Sequence, residues 1–132
     1  MAITFDKALG IHQHALEARV KRAEIQANNM ANADTPGFKA RDMDFQAVMQ
    51  RAQDNMSGFG MEKTHAGHMD TSAGAGDSDL LYRVPNQPSV DGNTVDSQGE
   101  QTRFMRNAMD YQASFQFLNS KFTGLTKAIK GE

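Results

Sequence analysis

The stretch FMRNAMDYQASFQFLNSKFTGLTKAI, residues 104–129, decides the fold of this 132-residue chain. Its apolar residues recur at alternating steps of four and three, and no proline interrupts them. That spacing is the repeat of an α-helix that carries a narrow apolar seam. The seam of this predicted helix is Phe104, Ala108, Tyr111, Phe115, Leu118, Phe122, Leu125 and Ile129.

The opposite side of the same predicted helix is also short of charge. A surface helix normally presents charged residues there, and a helix that is apolar on two sides is usually buried on both. We therefore expect one partner for the seam and a second for this opposite, subunit-contact face, with the chain supplying only the first. The opposite face consists of Met109, Ala113, Phe117, Ser120, Gly124 and Ala128.

A second periodic stretch, from about Thr4 to Asn32, repeats the two-sided pattern near the other end of the chain. Two long helices with matching seams most simply pack against each other as a coiled coil. We expect the seams to meet within one chain; the alternative is that seam partners come from a neighbouring subunit. The predicted seam of this first helix is Phe5, Leu9, His12, Leu16, Val20, Ala23, Ala27 and Met30, and its subunit-contact face is Ile11, Ala18 and Ile25.

Composition excludes several classes of function. The net charge is −2 and the isoelectric point is near 6.1, which does not favour a nucleic acid or an anionic membrane as partner. Cysteine is absent, so there is neither a disulfide framework nor a thiolate metal site. No apolar run approaches the roughly 20 residues that span a bilayer. The N-terminus does not resemble a cleavable secretory signal, so we expect a cytoplasmic protein or export by another route.

The segment after the first predicted helix contains helix-ending and turn signals. Asn and Asp side chains weaken the end of a helix, and Pro36 disfavours helical geometry at Thr35. Pro36 and Gly37 fit the central positions of a type II turn, with Gly37 at positive φ. A short helix is predicted from Asp42 to Gln53, with Asp42 or Asp44 near its start.

The middle of the chain is poor in apolar residues. The stretch 55–79 cannot bury enough apolar surface to offset the entropy of ordering, so we predict a mobile loop. His65, His68 and Asp70 are residue types that bind zinc, but nearby glycines argue against the helical turn that would join them, and we predict no metal site.

The stretch that follows the predicted loop is extended and then turns. Leu80–Val84 reads as a short strand, and Asp91-Gly92 as a hairpin-type turn. Thr94 or Ser97 is expected to cap the C-terminal helix, with Ser97-x-x-Glu100 as a capping box.

Four motifs together carry a family resemblance. They are Ala31-Asn32-x-x-Thr35-x-Gly37-Phe38-Lys39 after the first helix, Ala40–Phe45, Tyr82–Asp96, and Tyr111–Ser114 with Phe117–Phe122. In this order they resemble the flagellar basal-body rod and hook family, and within it the proximal rod type. The resemblance spans nearly the whole chain apart from residues 55–79. The family signature turn comprises Ala31, Asn32, Thr35, Pro36, Gly37, Phe38 and Lys39.

The resemblance implies a structural subunit of the proximal rod that assembles helically and transmits torque. It implies that the terminal helices form the inner tube and that the middle segment lies outside. The implied partners are other rod proteins and copies of the chain itself, the rod-to-ring adaptor, the membrane ring protein at the rod base, and the flagellar export apparatus. The implied location is the periplasmic rod of the basal body, reached without a cleavable signal peptide.

Other functions are less well supported by the sequence. No nucleophile–base pair, phosphate-binding glycine loop or catalytic carboxylate pair is evident, so we predict no enzyme, no cofactor and no small-molecule substrate. A soluble coiled-coil adaptor or export chaperone is the alternative, but it would show charged outer helix faces. We predict a mainly α fold with an N-terminal helix in 1–33, an irregular middle containing a small helix and possible short strands in 34–95, and a C-terminal helix in 96–132.

Overall fold

A computed structural model of the chain describes residues 8–56, 65, 80–85 and 87–131. The long helices α1 and α3 make the most extensive contact between any two described elements, and a two-stranded antiparallel sheet lies between them in sequence. The predicted mainly α fold with packed terminal helices is therefore confirmed. The elements are α1 (His12–Ala31), β1 (Arg41–Met43), α2 (Phe45–Met56), β2 (Leu80–Tyr82) and α3 (Ser97–Lys130).

Helices α1 and α3 run antiparallel. Asn29 near the end of α1 contacts Glu100 near the start of α3, and Arg19 contacts Asp110 further along. At the beginning of α1, the His12 ring lies 6.1 Å from the ring of Phe117. Successive contacts are separated by the same number of residues on each helix, so the register of the pair is constant.

The first helix begins later than the sequence predicts. Gly10 has a φ of +62°, which a residue inside a right-handed α-helix does not adopt, and α1 starts at His12. The prediction of one uninterrupted helix from Thr4 is therefore wrong at this glycine, whose missing Cβ permits the turn. Residues 1–7, including the predicted seam residue Phe5, lie outside the described residues.

The family signature turn forms where the sequence predicts it. Gly37 has a φ of +72°, and the Phe38 N–H donates to the Thr35 carbonyl at 3.3 Å, which closes a turn centred on Pro36 and Gly37. Strand β1 follows directly and pairs with β2, with Arg41 opposite Tyr82. Strand β2 confirms the predicted extended run, whereas β1 was not predicted because its partner is about 40 residues away.

Aspartates cap the two later helices. The Asp44 carboxylate accepts hydrogen bonds from the backbone N–H groups of Gln46 and Ala47, so α2 begins at Phe45 rather than at Asp42. The Asp96 carboxylate accepts from the Gly99 N–H at 3.2 Å, so neither Thr94 nor Ser97 is the cap of α3. The predicted capping box is wrong because the Glu100 side chain turns inward to arginines instead.

The interior of the described part is small and unusually polar. Its buried apolar residues are Leu9, Ala18, Ala40 and Met43, and its buried polar residues are Gln26, Asn29, Asn93, Glu100 and Asn107. Buried polar groups are costly unless they are hydrogen-bonded, so this interior depends on specific partners rather than on apolar area. Of the predicted mobile loop, 57–64 and 66–79 lie outside the described residues.

Candidate assembly surfaces

The face that α3 turns towards α1 is polar. The Asn107 side-chain amide donates to the Arg19 carbonyl at 2.9 Å, and the Arg19 guanidinium donates to Asp110 at 2.8 Å. Gln26 on the facing side of α1 is 1% exposed. This polar contact stripe lies roughly 60° around α3 from the predicted apolar seam. Hydrogen bonds and an ion pair therefore hold the two helices together within the chain.

The predicted seam of α3 is largely open to solvent. Phe115 is 56% exposed and Ile129 is 86% exposed, while Leu118 and Leu125 are half-buried. The open seam differs from the expected contact between the two seams within one chain. The polar contact stripe, which lies beside the seam on α3, faces α1 instead. On α1 the predicted seam residue Leu9 is buried and Leu16 half-buried, but Val20 is 46% exposed. The exposed residues of the α3 seam are Phe104, Ala108, Tyr111, Phe115, Phe122 and Ile129.

The central parts of the two predicted seams line one open groove. The groove has a volume of about 570 Å³ and lies along the edge where α1 and α3 meet. Its walls are mainly apolar, because small and aromatic side chains from both helices face it. We call it the α1–α3 groove, and its apolar lining residues are Val20, Ala23, Ala27, Phe104, Ala108 and Tyr111.

Some residues of the predicted subunit-contact faces are covered by the rest of the chain, and others are exposed. Ala18 is buried, where it lines a cleft with Met43 and Val48, so the middle segment already covers this position. Ala18 is therefore not available to a neighbouring subunit, in contrast to the prediction. Ile11 and Ile25 are half-buried, and the predicted α3 positions Met109, Ala113, Phe117 and Gly124 are exposed.

A cluster of charged residues joins the middle segment to both helices. The Arg83 guanidinium donates to the carboxylates of Glu100 and Asp42. Glu100 is fully buried and also accepts from Arg103 at 2.9 Å, while Arg22 of α1 lies 3.3 Å from Asp42. Removing one partner from such a cluster leaves an uncompensated buried charge. No local sequence pattern indicates this cluster, because its members are spread from position 22 to position 103.

Asp42 is held in its charged form by this cluster. Burial alone would raise the pKa of the Asp42 carboxyl group. Hydrogen bonds from the Met43 N–H and from the guanidinium groups of Arg83 and Arg22 outweigh that effect and lower the pKa below its usual value. The carboxylate is therefore a permanent anion between two arginines at neutral pH.

Asn29 links α1 to strand β1 and to α3. Its side-chain oxygen accepts from the Arg41 N–H at 3.0 Å, and its side-chain nitrogen donates to the Arg41 carbonyl at 2.7 Å. The same nitrogen lies 3.2 Å from Glu100. Sequence reasoning treated this asparagine only as a helix-weakening residue, whereas it extends the backbone pairing of the small sheet.

Asn93 holds the family signature turn in place. Its side-chain nitrogen lies within hydrogen-bond distance of the carbonyl oxygens of Asn32, Ala33 and Thr35, at 3.1, 2.6 and 3.0 Å. The neighbouring Thr94 N–H donates to the Phe38 carbonyl at 3.0 Å. The end of α1 and the signature turn are thus fixed against the segment that leads into α3, which sequence analysis did not foresee.

Neither a metal site nor a membrane span is found among the residues that the structure describes. No group of three His, Cys, Asp or Glu side chains in these ranges is placed to hold a metal ion. His65 is exposed, and His68 and Asp70 lie outside the described residues. No helix within the same ranges combines the length and the hydropathy needed to cross a bilayer.

Comparison with known proteins identifies the family. The model of the family described as "Flagella basal body rod protein" matches residues 9–39, which include α1 and the signature turn. Flagellar basal body rod protein FlgB of Aeromonas hydrophila is 53% identical, and the match covers 100% of this chain and 99% of that protein. The chain belongs to the FlgB family.

Other FlgB proteins match over almost the same extent. FlgB of Salmonella typhimurium is 44% identical over 96% of this chain and 95% of that protein. FlgB of Escherichia coli K12 is 42% identical over 95% of this chain and 94% of that protein. The FlgB likeness therefore includes the middle segment as well as the helices, and this chain is a structural component of the flagellar basal-body rod.

Proposed function

We propose that this chain is a subunit of the proximal rod that assembles helically through α1 and α3. The observation that carries the proposal is the exposed apolar surface of the helix pair in a chain that matches FlgB from end to end. Thirteen large apolar residues in the described part are exposed, and eight of these lie on α3. Large exposed apolar side chains grouped along one helix are typical of a surface that contacts a partner.

The polar contacts support a stiff subunit that carries torque. Arg83, Asp42 and Glu100 tie the middle segment to both helices, and Asn93 fixes the turn after α1. A force applied to one helix is therefore passed to the other and to the middle segment through these partly buried polar contacts. We propose that this arrangement transmits torque between neighbouring subunits along the rod.

The position of the subunit in the basal body is also a proposal. We infer that the chain contacts the rod-to-ring adaptor and the membrane ring protein at the rod base, and other rod proteins at its far side. We further propose that it reaches the periplasm through the flagellar export apparatus. The likeness to FlgB and the resemblance of the sequence motifs support these partners.

Photo-crosslinking in motile cells tests the proposed function. Ala113 is exposed on α3 and the chain has no cysteine, so Ala113→Cys provides one attachment point for a short crosslinker. We expect it to capture rod proteins, the adaptor or a second copy, identified by mass spectrometry. The matched control is Ala47→Cys on the exposed side of α2. A protein that stays soluble and captures nothing in motile cells would instead favour the adaptor alternative.

A further inference from the structure

The apolar seams of α1 and α3 lie on the two walls of one groove. Val20 and Ala23 line the α1 wall of the α1–α3 groove, and Phe104, Ala108 and Tyr111 line the α3 wall. Each seam lies roughly 60° around its helix from the polar side that faces the other helix. A turn of each helix by that angle would bring the two seams into contact and close the groove.

The polar contact stripe between the helices is incompletely paired. Three buried polar atoms have no hydrogen-bond partner in the described part of the chain, and they are the Arg19 Nε, the Gln26 Oε1 and the Asn107 Oδ1. Gln26 is 1% exposed and Asn107 is 4% exposed. Leaving buried polar groups unpaired is unfavourable, whereas burying apolar side chains is favourable. For the two helices alone, contact between the apolar seams is therefore the better packing.

Contacts with the middle segment, residues 34–95, hold α1 in its observed orientation. The Asn29 side chain makes two hydrogen bonds with the backbone of Arg41 on β1. The guanidinium carbon of Arg19 lies 4.3 Å from the centre of the Phe45 ring on α2. Both contacts come from the side of α1 that carries the polar stripe, so a turn of α1 towards the groove would break them.

The charged cluster holds α3 in the same way. Glu100 is fully buried and accepts from Arg83, which also donates to Asp42 on β1. Arg22 of α1 lies 3.3 Å from the same Asp42 carboxylate. A turn of α3 by roughly 60° would carry the Glu100 carboxylate roughly 5 Å away from Arg83. Such a turn would leave a buried charge without its partner, which is strongly unfavourable.

We propose that docking of the middle segment turns α1 and α3 from a closed packing, with their seams in contact, into the observed open packing. The closed packing is the one that the apolar repeats of the sequence predict. The benefit of an open seam to a rod subunit rests on the proposed function, whereas the turn itself is a property of the single chain. Arg83 is the positioning residue of this device, because it joins Glu100 on α3 to Asp42 on β1.

The two packings are alternatives, and the charged cluster selects between them. Packed helices have a few discrete arrangements rather than a continuous range, so a lost contact shifts the population from one arrangement to the other. Breaking the cluster at Arg83 therefore favours the closed packing, in which Ala108 and the rest of the seam are buried.

Labelling of a single thiol in the purified, dilute chain tests the turn. The chain has no cysteine, so Ala108→Cys places one thiol at an exposed position in the groove. Adding Arg83→Ala should slow its reaction with a maleimide by roughly ten-fold, because buried thiols are unreactive. Sedimentation of the same samples verifies that the chain is a monomer, so that contact with a second copy does not cause the protection.

Ala113→Cys is the matched control. Ala113 is exposed on the opposite side of α3 and stays exposed in both packings, so Arg83→Ala should leave its labelling rate unchanged. An unchanged or faster rate at Ala108→Cys in the Arg83→Ala chain overturns the proposal. Arg83→Lys keeps the charge but loses the planar fork that binds two carboxylates, and it should slow labelling of Ala108→Cys by roughly three-fold. Absence of slowing in Arg83→Lys overturns the proposal even where Arg83→Ala fails to fold.

A disulfide across the groove gives a second readout. Val20→Cys with Ala108→Cys should form a bond within one chain roughly five-fold faster once Arg83→Ala is added, because disulfides need a short Cα separation. The control pair Val20→Cys with Ala113→Cys should react slowly in both backgrounds. Equal rates for the first pair with and without Arg83→Ala contradict the turn.

These outcomes are distinct from those that test the proposed function. Failure of both readouts, in a chain that is still found in isolated basal bodies, overturns the turn and leaves the rod assignment standing. Absence of the wild-type chain from basal bodies overturns the rod assignment. In that case protection at Ala108→Cys in the single chain would still support the turn.

Discussion

Two parts of the helix pair use opposite chemistry: the base, around Asn29, Glu100 and Asn107, and the α3 tail, which is residues 118–130. At the base, Glu100, Asn29 and Asn107 are buried and make hydrogen bonds across the pair. In the tail, the apolar side chains of Phe122 and Ile129 are exposed. Polar contacts are directional and specify one arrangement of the chain, whereas the apolar side chains remain available to a partner. We therefore predict that the base stabilises the single chain and that the tail contacts partners in the assembled rod.

The largest effect on stability is expected when the charged cluster at the base is broken. Arg83→Ala removes the group shared by Glu100 and Asp42, and should cost about 3–5 kcal/mol of the free energy of unfolding, because a buried carboxylate loses a partner. Urea unfolding followed by circular dichroism measures it. Arg106→Ala, an exposed change on the same helix as Glu100, should stay within about 0.5 kcal/mol. Equal losses of unfolding free energy in Arg83→Ala and Arg106→Ala would show that the charged cluster does not stabilise the base.

A smaller effect is expected at the turn that leads out of α1. Asn93→Ala removes the donor to the Asn32, Ala33 and Thr35 carbonyls and should cost about 1–3 kcal/mol. Hydrogen exchange should quicken around residues 32–38 before it does in the centre of α1. Asn119→Ala, at an exposed position of the tail, is the matched control. Unchanged exchange at the turn would show that Asn93 does not hold it.

The base should also respond to acid. The pKa of Asp42 is lower in the folded chain than in the unfolded chain, so its charged form stabilises the fold above the unfolded pKa of about 3.9. That contribution should be lost as pH falls through the lower, folded pKa. Wild-type protein should therefore lose more stability than Asp42→Asn between neutral pH and acid. Asp34→Asn, at an exposed position, should keep the wild-type pH profile.

The smallest effect on stability is expected in the tail. Ile129→Ser should change the free energy of unfolding by less than about 0.5 kcal/mol, because the side chain is already 86% exposed. The same change should reduce swimming in soft agar, because the assembled rod loses an apolar contact. Met43→Ala, at a buried position of β1, provides the contrast and should cost about 2–5 kcal/mol. Normal swimming with Ile129→Ser would show that this side chain is not needed for assembly of the rod.

Local patterns predicted much of the fold. The apolar repeat located α1 and α3, and Pro36-Gly37 located the signature turn. The start of α1 was missed because a helical repeat does not reveal that Gly10 adopts positive φ. Strand β1 and the Arg83 cluster were missed because their partners lie far along the chain, where no local spacing connects them.

The sequence by itself determined that the chain has two long helices with more apolar surface than one chain can bury. It also determined the family resemblance, through motifs that the comparisons place in the FlgB family. Only the tertiary structure decided which faces of the helices meet. The polar stripe with Asn107 faces α1, and the apolar seam stays open. Hydrogen bonds and ion pairs between distant residues fix the rotation of α3 about its axis. An apolar repeat along one helix carries no information about the residues that face it, so the sequence alone did not predict this rotation.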